Sequence, residues 1–145
     1  MDKADILLVE DNDSDAEICM RTLKKSFGQL SMLHVKDGLQ ALDYLFATGI
    51  YSKRRIEDLP ELILLDLVMP KIDGLAVLKL IRGDDRTLSV PVVVLTASTS
   101  EEDENICREM GVVSYTQKPI DATAFNRAIE KIAQDWLNSK KMNNN

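Results

Sequence analysis

The sequence has few of the residues that build disulfide-rich, zinc-binding or nucleic-acid-binding proteins. Its 145 residues include two cysteines and one histidine, too few for a disulfide framework or a zinc site. Cys19 and Cys107 fall within apolar stripes of predicted helices, which indicates small buried side chains. Lys and Arg number 18 against 24 Asp and Glu, and this net charge of −6 argues against a nucleic-acid partner.

Long hydrophobic runs are also missing. No stretch approaches the about 18 apolar residues of a membrane span, and the N-terminus lacks the apolar region of a signal peptide. We therefore expect a cytoplasmic protein with reduced thiols and no membrane contact. The length fits a single domain, 1–145, with a core of about 4–139 and a frayed tail at 140–145.

Five short apolar runs alternate with helical patterns. The runs are 6–9, 32–35, 62–65, 92–95 and 112–115. The first, third and fourth are continuous, which is typical of strands that helices cover on both faces. The spacing of apolar residues predicts helices at about 13–27, 38–48, 75–82, after Ser100, and 121–138. This alternation predicts an α/β fold, a three-layer sandwich around a doubly wound five-stranded parallel sheet.

Acidic residues and a lysine follow the predicted strands. Glu10 and Asp11 close the first strand, Asp66 closes the third, Thr96 follows the fourth, and Lys118 follows the fifth. The carboxyl ends of parallel strands form one crevice, and carboxylates there repel unless a cation lies among them. Magnesium suits such oxygen ligands. A carboxylate beside a lysine suits attack on phosphorus, which gives an aspartyl phosphate.

Five motifs occur in order, each after an apolar run. They are Val9-Glu10-Asp11-Asn12, Leu65-Asp66-Leu67-Val68-Met69-Pro70, Asp73-Gly74, Thr96-Ala97 and Lys118-Pro119. Together they resemble the receiver domains of bacterial two-component response regulators over essentially the whole chain. The resemblance implies a flavodoxin-like sandwich with strand order 2-1-3-4-5.

The resemblance also implies roles for the site residues. Asp66 would accept a phosphoryl group from a sensor histidine kinase, with Thr96 and Lys118 contacting the phosphoryl oxygens. The cofactor would be Mg²⁺, and its ligands would be Glu10 (through water), Asp11, Asp66 and the backbone carbonyl of Val68. Because Val68 has no polar side chain to hold an attacking water, the aspartyl phosphate is expected to be comparatively long-lived.

A signalling switch rather than a metabolic enzyme is the implied function. Thr96 and Tyr115 would relay phosphorylation to the face made by helix 4, strand 5 and helix 5, with Tyr115 turning inward; the alternative for Tyr115 is a fixed, half-buried aromatic. No DNA-binding output domain is expected in this chain, so output would pass through a partner, a homodimer or a relay protein. The bond between Lys118 and Pro119 is expected to be cis.

Three further features resemble the single-domain receivers that are partnered with phytochrome-type kinases. They are the run Pro91–Thr96, the long loop Ile50–Pro60 and the late Trp136-Leu137. The last helix also motivates a homodimer, through Phe125 and Trp136. The Phe125 stripe is expected to be mainly core, and Trp136 either covers the core or forms a dimer contact.

Two other functions fit part of this pattern. An Asp-nucleophile phosphatase would carry Asp-x-Asp, whereas position 68 is Val. A degenerate receiver, acting as a binding module only, would keep the fold but lose a site residue, whereas the site positions are intact.

Overall fold

The computed structural model describes residues 3–143, with the side chains of 3–140. Within these residues, five strands alternate with five helices. The strands are β1 (Ile6–Val9), β2 (Met32–Val35), β3 (Leu62–Leu65), β4 (Val92–Thr96) and β5 (Ser114–Gln117). The helices are α1 (Asp13–Phe27), α2 (Gly38–Leu45), α3 (Gly74–Arg82), α4 (Glu101–Glu109) and α5 (Ala122–Asn143), with a 3-10 turn at Gly49–Tyr51.

The strands form one parallel sheet in the order β2-β1-β3-β4-β5. Strand β1 pairs on both sides, so that Val9 lies opposite Val35 of β2 and Leu65 of β3. The predicted doubly wound, flavodoxin-like sandwich is therefore confirmed. Because the order reverses at β1, the residues that follow β1 and β3 meet at one crevice.

Apolar side chains fill both faces of the sheet. Along β1, Leu7 and Val9 pack with α2, α3 and α4, whereas Ile6 and Leu8 pack with α1 and α5. Cys19 and Cys107 are buried, and burial raises the pKa of Cys19 to about 12, as expected of core cysteines. None of the helices within residues 3–143 is both long and apolar enough to cross a membrane.

Polar side chains cap the helices where the sequence places them. Asn12, Asp37, Asp73 and Ser100 each accept a hydrogen bond from the backbone N–H three residues on. Such caps satisfy donors that the first helical turn leaves unpaired. The predicted helix after Ser100 is confirmed, and the caps set where α1, α3 and α4 begin beside the crevice.

Arg54 anchors the long loop between α2 and β3. Its side chain is buried, and its guanidinium lies 4.0 Å from the centre of the Tyr44 ring. The same group donates hydrogen bonds to the carbonyl oxygens of Tyr44 and Asp58. Arg54 belongs to the long loop Ile50–Pro60, and these carbonyls and the ring replace the water shell of its guanidinium.

Arg82, at the C-terminal end of α3, joins two turns through hydrogen bonds. These turns lie at the end of the sheet opposite the crevice. Its guanidinium donates to Val90 O at 2.7 Å and to Met110 O at 2.8 Å. It also donates to Leu88 O at 3.0 Å and Gly111 O at 3.4 Å. The C-terminal end of α4 is therefore fixed to the loop that leads into β4.

Three element boundaries differ from the predicted ones. Helix α2 ends at Leu45 rather than near residue 48, because Ala47 adopts the left-handed conformation with a φ of 55°. Strand β5 begins at Ser114 rather than 112, since the Val112 N–H bonds Cys107 O in the last turn of α4. Helix α5 continues to Asn143, so residues 140–143 are helical rather than frayed; residues 144–145 lie outside the described part.

Candidate functional site

Three carboxylates meet at the carboxyl ends of β1 and β3. Carboxylate oxygens of Glu10, Asp11 and Asp66 all lie within 4.8 Å of one another. Glu10 and Asp66 are 2% and 4% exposed, whereas Asp11 is exposed. The sequence prediction that these side chains meet is confirmed, and two of the three are held away from water.

Lys118 closes the cluster from β5. Its Nζ lies 2.7 Å from Glu10 Oε1, 2.9 Å from Asp66 Oδ2 and 3.1 Å from Asp15 Oδ2. The Lys118 N–H donates to Thr96 O at 2.7 Å, which extends the β4–β5 pairing and fixes where the lysine leaves the sheet. One ammonium group thus faces three carboxylates and supplies the positive charge that they require.

The charged groups of this cluster shift one another's pKa values. Burial, together with the Asp66 charge, raises the pKa of Glu10 to about 7, although its hydrogen bond to Lys118 acts in the opposite direction. Burial by itself would lower the pKa of Lys118, but hydrogen bonds to Glu10 and Asp66 raise it overall. The lysine therefore stays a cation at the pH of a cell, as a partner for phosphoryl oxygens needs to be.

The loop between β3 and α3 contacts Asp66 through the carboxylate oxygen that Lys118 does not bond. The Val68 N–H donates to Asp66 Oδ1 at 3.1 Å, and the Val68 side chain is 57% exposed. Gly74 is needed for this approach, because a Cβ there would lie 2.1 Å from Asp66 O and 2.6 Å from the Leu67 Cα. The chain can carry a side chain at 74 only if α3 moves away from Asp66.

Thr96 and Tyr115 lie on adjacent strands beside the cluster. Thr96 is fully buried, and its Oγ1 accepts a hydrogen bond from the Ser98 N–H at 3.2 Å. Tyr115 packs against the core on the α4 side of the sheet, and its hydroxyl is already buried. The resemblance implied that the Tyr115 ring turns inward. In this structure the hydroxyl of that ring is already buried.

Two residues of the site were missed by the sequence analysis. Asp15 reaches Lys118 from the first turn of α1. Asp11 precedes Asn12, the N-cap of α1, so no helical spacing relates the two residues and the sequence carries no signal for Asp15. His34, on β2, has its Nε2 2.7 Å from Glu10 O and so contacts the backbone of the cluster.

The peptide bond between Lys118 and Pro119 is not cis: every peptide bond in the described residues is trans. The cis prediction came from resemblance alone. An X–Pro bond prefers trans by only about 0.5–1 kcal/mol, so neither this residue pair nor its spacing decides the isomer.

The donor set of the cluster fits a hard divalent cation. All the side-chain ligands are carboxylate oxygens, as magnesium or manganese prefers, and the described residues place no cysteine or histidine side chain among them. The structure thus brings together Glu10, Asp11, Asp66, Thr96 and Lys118, the residues predicted for one site. It places Tyr115 on the neighbouring strand, opposite Val94 of β4.

Comparison with known protein families matches residues 6–130 to the response regulator receiver domain. This chain is a receiver domain. The receiver shares 39% identity over 132 residues with the probable methanogenesis regulatory protein FilR2 of Methanothrix harundinacea, covering 91% of this chain and 83% of that protein. It shares 36% identity with the response regulator Rcp1 of Synechocystis, covering 91% of this chain and 88% of Rcp1.

Solved structures give the same result. The Mn²⁺-bound form of Rcp1 superposes with a TM-score of 0.85, covering 91% of this receiver and 93% of Rcp1. The phosphorylated cyanobacterial phytochrome response regulator RcpA, 34% identical, also gives 0.85, covering 92% and 94% of the two chains. The resemblance to phytochrome-partnered receivers is thus confirmed. The family consists of signalling domains rather than metabolic enzymes.

Proposed function

We propose that this receiver domain is a phosphoryl-accepting switch in which Asp66 takes a phosphoryl group from a histidine kinase in the presence of Mg²⁺. The observation that carries the proposal is the position of Asp66, buried between Lys118 Nζ at 2.9 Å and the carboxylates of Glu10 and Asp11. A carboxylate can attack phosphorus there while nearby groups offset the developing charge. RcpA, crystallised in a phosphorylated form, supports the same chemistry here.

The proposed transfer forms a bond between an Asp66 carboxylate oxygen and phosphorus. It breaks the phosphorus–nitrogen bond of a phosphohistidine, whose imidazole leaves with the electron pair and takes up a proton. Lys118 is placed to offset the charge of one phosphoryl oxygen, and the Thr96 hydroxyl to donate to another. Positioning and charge supply most of the rate in such transfers, so these residues need no acid–base step of their own.

The proposed metal ligands are Glu10, Asp11, Asp66 and the Val68 carbonyl. Bound there, Mg²⁺ supplies positive charge to the phosphoryl oxygens. Asp11 is exposed and free to bind directly, whereas both Glu10 oxygens have partners, Lys118 for Oε1 and the Asn12 N–H for Oε2. This supports contact through water for Glu10. The Mn²⁺-bound structure of Rcp1 supports a divalent ion in this fold.

The proposed output passes through Thr96 and Tyr115 to the surface of α4, β5 and α5. Thr96 ends β4 opposite Gln117 of β5, and Tyr115 lies two residues before Gln117 on the same strand, so a shift at the end of β4 would reach β5. A phosphoryl group that draws the Thr96 hydroxyl toward Asp66 would favour one packing of this surface over another.

A cytoplasmic location and a phytochrome-type kinase partner also belong to the proposal. The kinase partner is supported by the similarity to RcpA, a cyanobacterial phytochrome response regulator, and the location is consistent with membership of the receiver-domain family. A homodimer stays a prediction: Phe125 is 3% exposed and packs in the core, whereas Trp136 is partly exposed. Sedimentation with and without a phosphoryl mimic checks it, and monomer under both conditions would remove it.

Incubation with Mg²⁺ and acetyl phosphate tests the main proposal. We expect intact-mass analysis to show one phosphoryl group per chain, lost in Asp66→Ala and with EDTA. Asp13→Ala is the matched control, because Asp13 is an exposed neighbour that pairs with Lys36 instead. If the wild type is not labelled, the chain is a receiver that acts as a binding module only. Steady release of phosphate from a phosphomonoester would instead indicate a phosphatase.

A further inference from the structure

The loop between β3 and α3 contains a residue other than glycine in the left-handed conformation. Lys71 has a φ of 66°, a value that glycine adopts freely but that costs other residues free energy. A backbone of this kind persists where the surrounding structure holds it. The Gly74 N–H donates to Leu67 O at 3.0 Å and closes the loop, but this bond joins the two ends of the loop and does not involve Lys71. The conformation of Lys71 therefore depends on other contacts.

One such contact is an ion pair between Lys71 and the start of α2. Lys71 Nζ lies 3.2 Å from Asp37 Oδ2, and Asp37 is 5% exposed. The other oxygen of this carboxylate, Oδ1, accepts from the Gln40 N–H at 2.8 Å and caps α2. Because a buried carboxylate requires compensating partners, Asp37 favours the loop conformation that brings the Lys71 ammonium to it.

The backbone of the loop also rests on α2. A Cβ at Gly38 would lie 2.0 Å from Ile72 O and 2.9 Å from the Ile72 Cβ, so the first residue of α2 and the residue after Lys71 are in direct contact. The Ile72 side chain packs against the core. The loop therefore meets α2 through both the charge of Lys71 and the backbone of Ile72.

Val68 belongs to the same loop and lies between Asp66 and Lys71. Its N–H donates to Asp66 Oδ1 at 3.1 Å, and its carbonyl is one of the proposed metal ligands. We propose that Asp37 is a positioning residue of the metal site, and that its pair with Lys71 holds the β3–α3 loop in the conformation that binds the ion. The inference rests on the proposed function, in which Asp66 and the Val68 carbonyl bind Mg²⁺. Asp37 and Lys71 would act through the loop and not as ligands.

Titration of the ¹⁵N-labelled full chain with Mg²⁺, followed by its amide NMR signals, tests this role. We expect Lys71→Ala to weaken Mg²⁺ binding roughly two- to fivefold, near the upper end of what one ion pair supports, because alanine keeps the cost of the positive φ and loses the pair. Lys71→Gly should bind at least as tightly as the wild type, since glycine adopts this φ freely. Lys71→Arg keeps the pair and should match the wild type.

A direct effect of charge on the ion predicts the opposite result. Loss of a positive charge near the site would tighten Mg²⁺ binding, and to the same extent in Lys71→Ala and Lys71→Gly. Equal affinities of these two variants would therefore overturn the proposal. Lys36→Ala is the matched control, because it makes the same charge change next to Asp37 in the sequence, while Lys36 pairs with the exposed Asp13 at 3.0 Å. Its affinity for Mg²⁺ should not fall.

Asp37→Asn tests the other partner of the pair. Asparagine caps a helix about as well as aspartate, so this change removes the charge and keeps the start of α2. We expect it to weaken Mg²⁺ binding roughly two- to fivefold in the wild type and to have little effect in the Lys71→Gly background, where no pair is left to break. An equal loss in both backgrounds would show that the Asp37 charge acts on the ion directly and would overturn the proposal.

A second readout needs no metal. In EDTA, the Val68 amide should exchange with solvent faster in Lys71→Ala and Asp37→Asn than in the wild type, and at the wild-type rate in Lys71→Arg. An unchanged rate in all three variants would overturn the role of Asp37. A wild type whose signals do not respond to Mg²⁺ would instead overturn the proposed metal site, while the Val68 exchange rate would still decide whether Asp37 positions the loop.

Discussion

At the scale of single residues, Val68 lies two positions after Asp66, the proposed phosphoacceptor, and its side chain bears on how long a phosphoryl group would stay there. Val68 is 57% exposed, and it offers only its backbone N–H, which bonds Asp66 Oδ1. Nothing in its side chain can orient a water for attack on an aspartyl phosphate.

We predict that Val68→Asn shortens the lifetime of the aspartyl phosphate. A polar group that positions the attacking water should accelerate its loss roughly 10- to 100-fold, toward the lower end of what such groups contribute. The lifetime is measured as the decay of phosphorylated chain after the donor is removed. Leu80→Asn, at an exposed apolar position on α3, is the control, and an unchanged lifetime in Val68→Asn would contradict the prediction.

Residues of the site could be predicted when they directly follow a strand. Asp11, Asp66 and Thr96 each come within two positions of an apolar run, so the sheet alone determines where they point. Asp15 and Ser98 could not be placed in this way. Their roles depend on which face of α1 and which turn of a loop approach the crevice, and that is decided by packing between distant segments.

At the scale of structural elements, the loop between α2 and β3 depends on one buried cation. The guanidinium of Arg54 packs on Tyr44 and donates to the carbonyl oxygens of Tyr44 and Asp58. The Tyr44 carbonyl also accepts from the Ala47 N–H, so removal of Arg54 would take a partner from Asp58 O above all. The segment therefore behaves as part of the domain and not as an independent loop.

We predict that Arg54→Ala lowers the free energy of unfolding by about 1–3 kcal/mol, from the unpaired Asp58 carbonyl and the lost cation–π contact. Arg54→Lys should recover only part of this, since an ammonium cannot reproduce the planar fork of donors. Urea denaturation measures both. Arg55→Ala is the control and should change the free energy of unfolding by less than about 0.5 kcal/mol, because Arg55 is exposed and pairs with Glu57. Equal losses of stability in Arg54→Ala and Arg55→Ala would contradict the role of Arg54 as the anchor of this loop.

The elements themselves were predicted correctly in type and order, and the errors lie at their ends. Val112 reads as strand because it is β-branched and apolar, but its N–H completes the last turn of α4. Hydrogen bonds of this kind, between one element and the next, leave no periodic signal in the sequence.

At the scale of the whole molecule, the acidic cluster links metal binding to stability. A ligand that binds the folded chain alone stabilises it by about 2.7 kcal/mol at 100 times its dissociation constant. We predict that Mg²⁺ in place of EDTA raises the melting temperature, and that Asp11→Asn removes this difference. Asp13→Asn makes the same charge change two residues away and should keep it; a wild type that melts alike in both buffers would argue against the site.

The anchoring of α4 at its far end has a mechanical consequence. The bonds from Arg82 to Met110 O and Gly111 O hold the C-terminal end of this nine-residue helix, while the side chains of Ser98 and Ser100 bond its first turn. We therefore expect any displacement of α4 to be a tilt about its C-terminal end rather than a shift of the whole helix. On a helix about 14 Å long, such a displacement would be largest beside Asp103 and smallest at Met110.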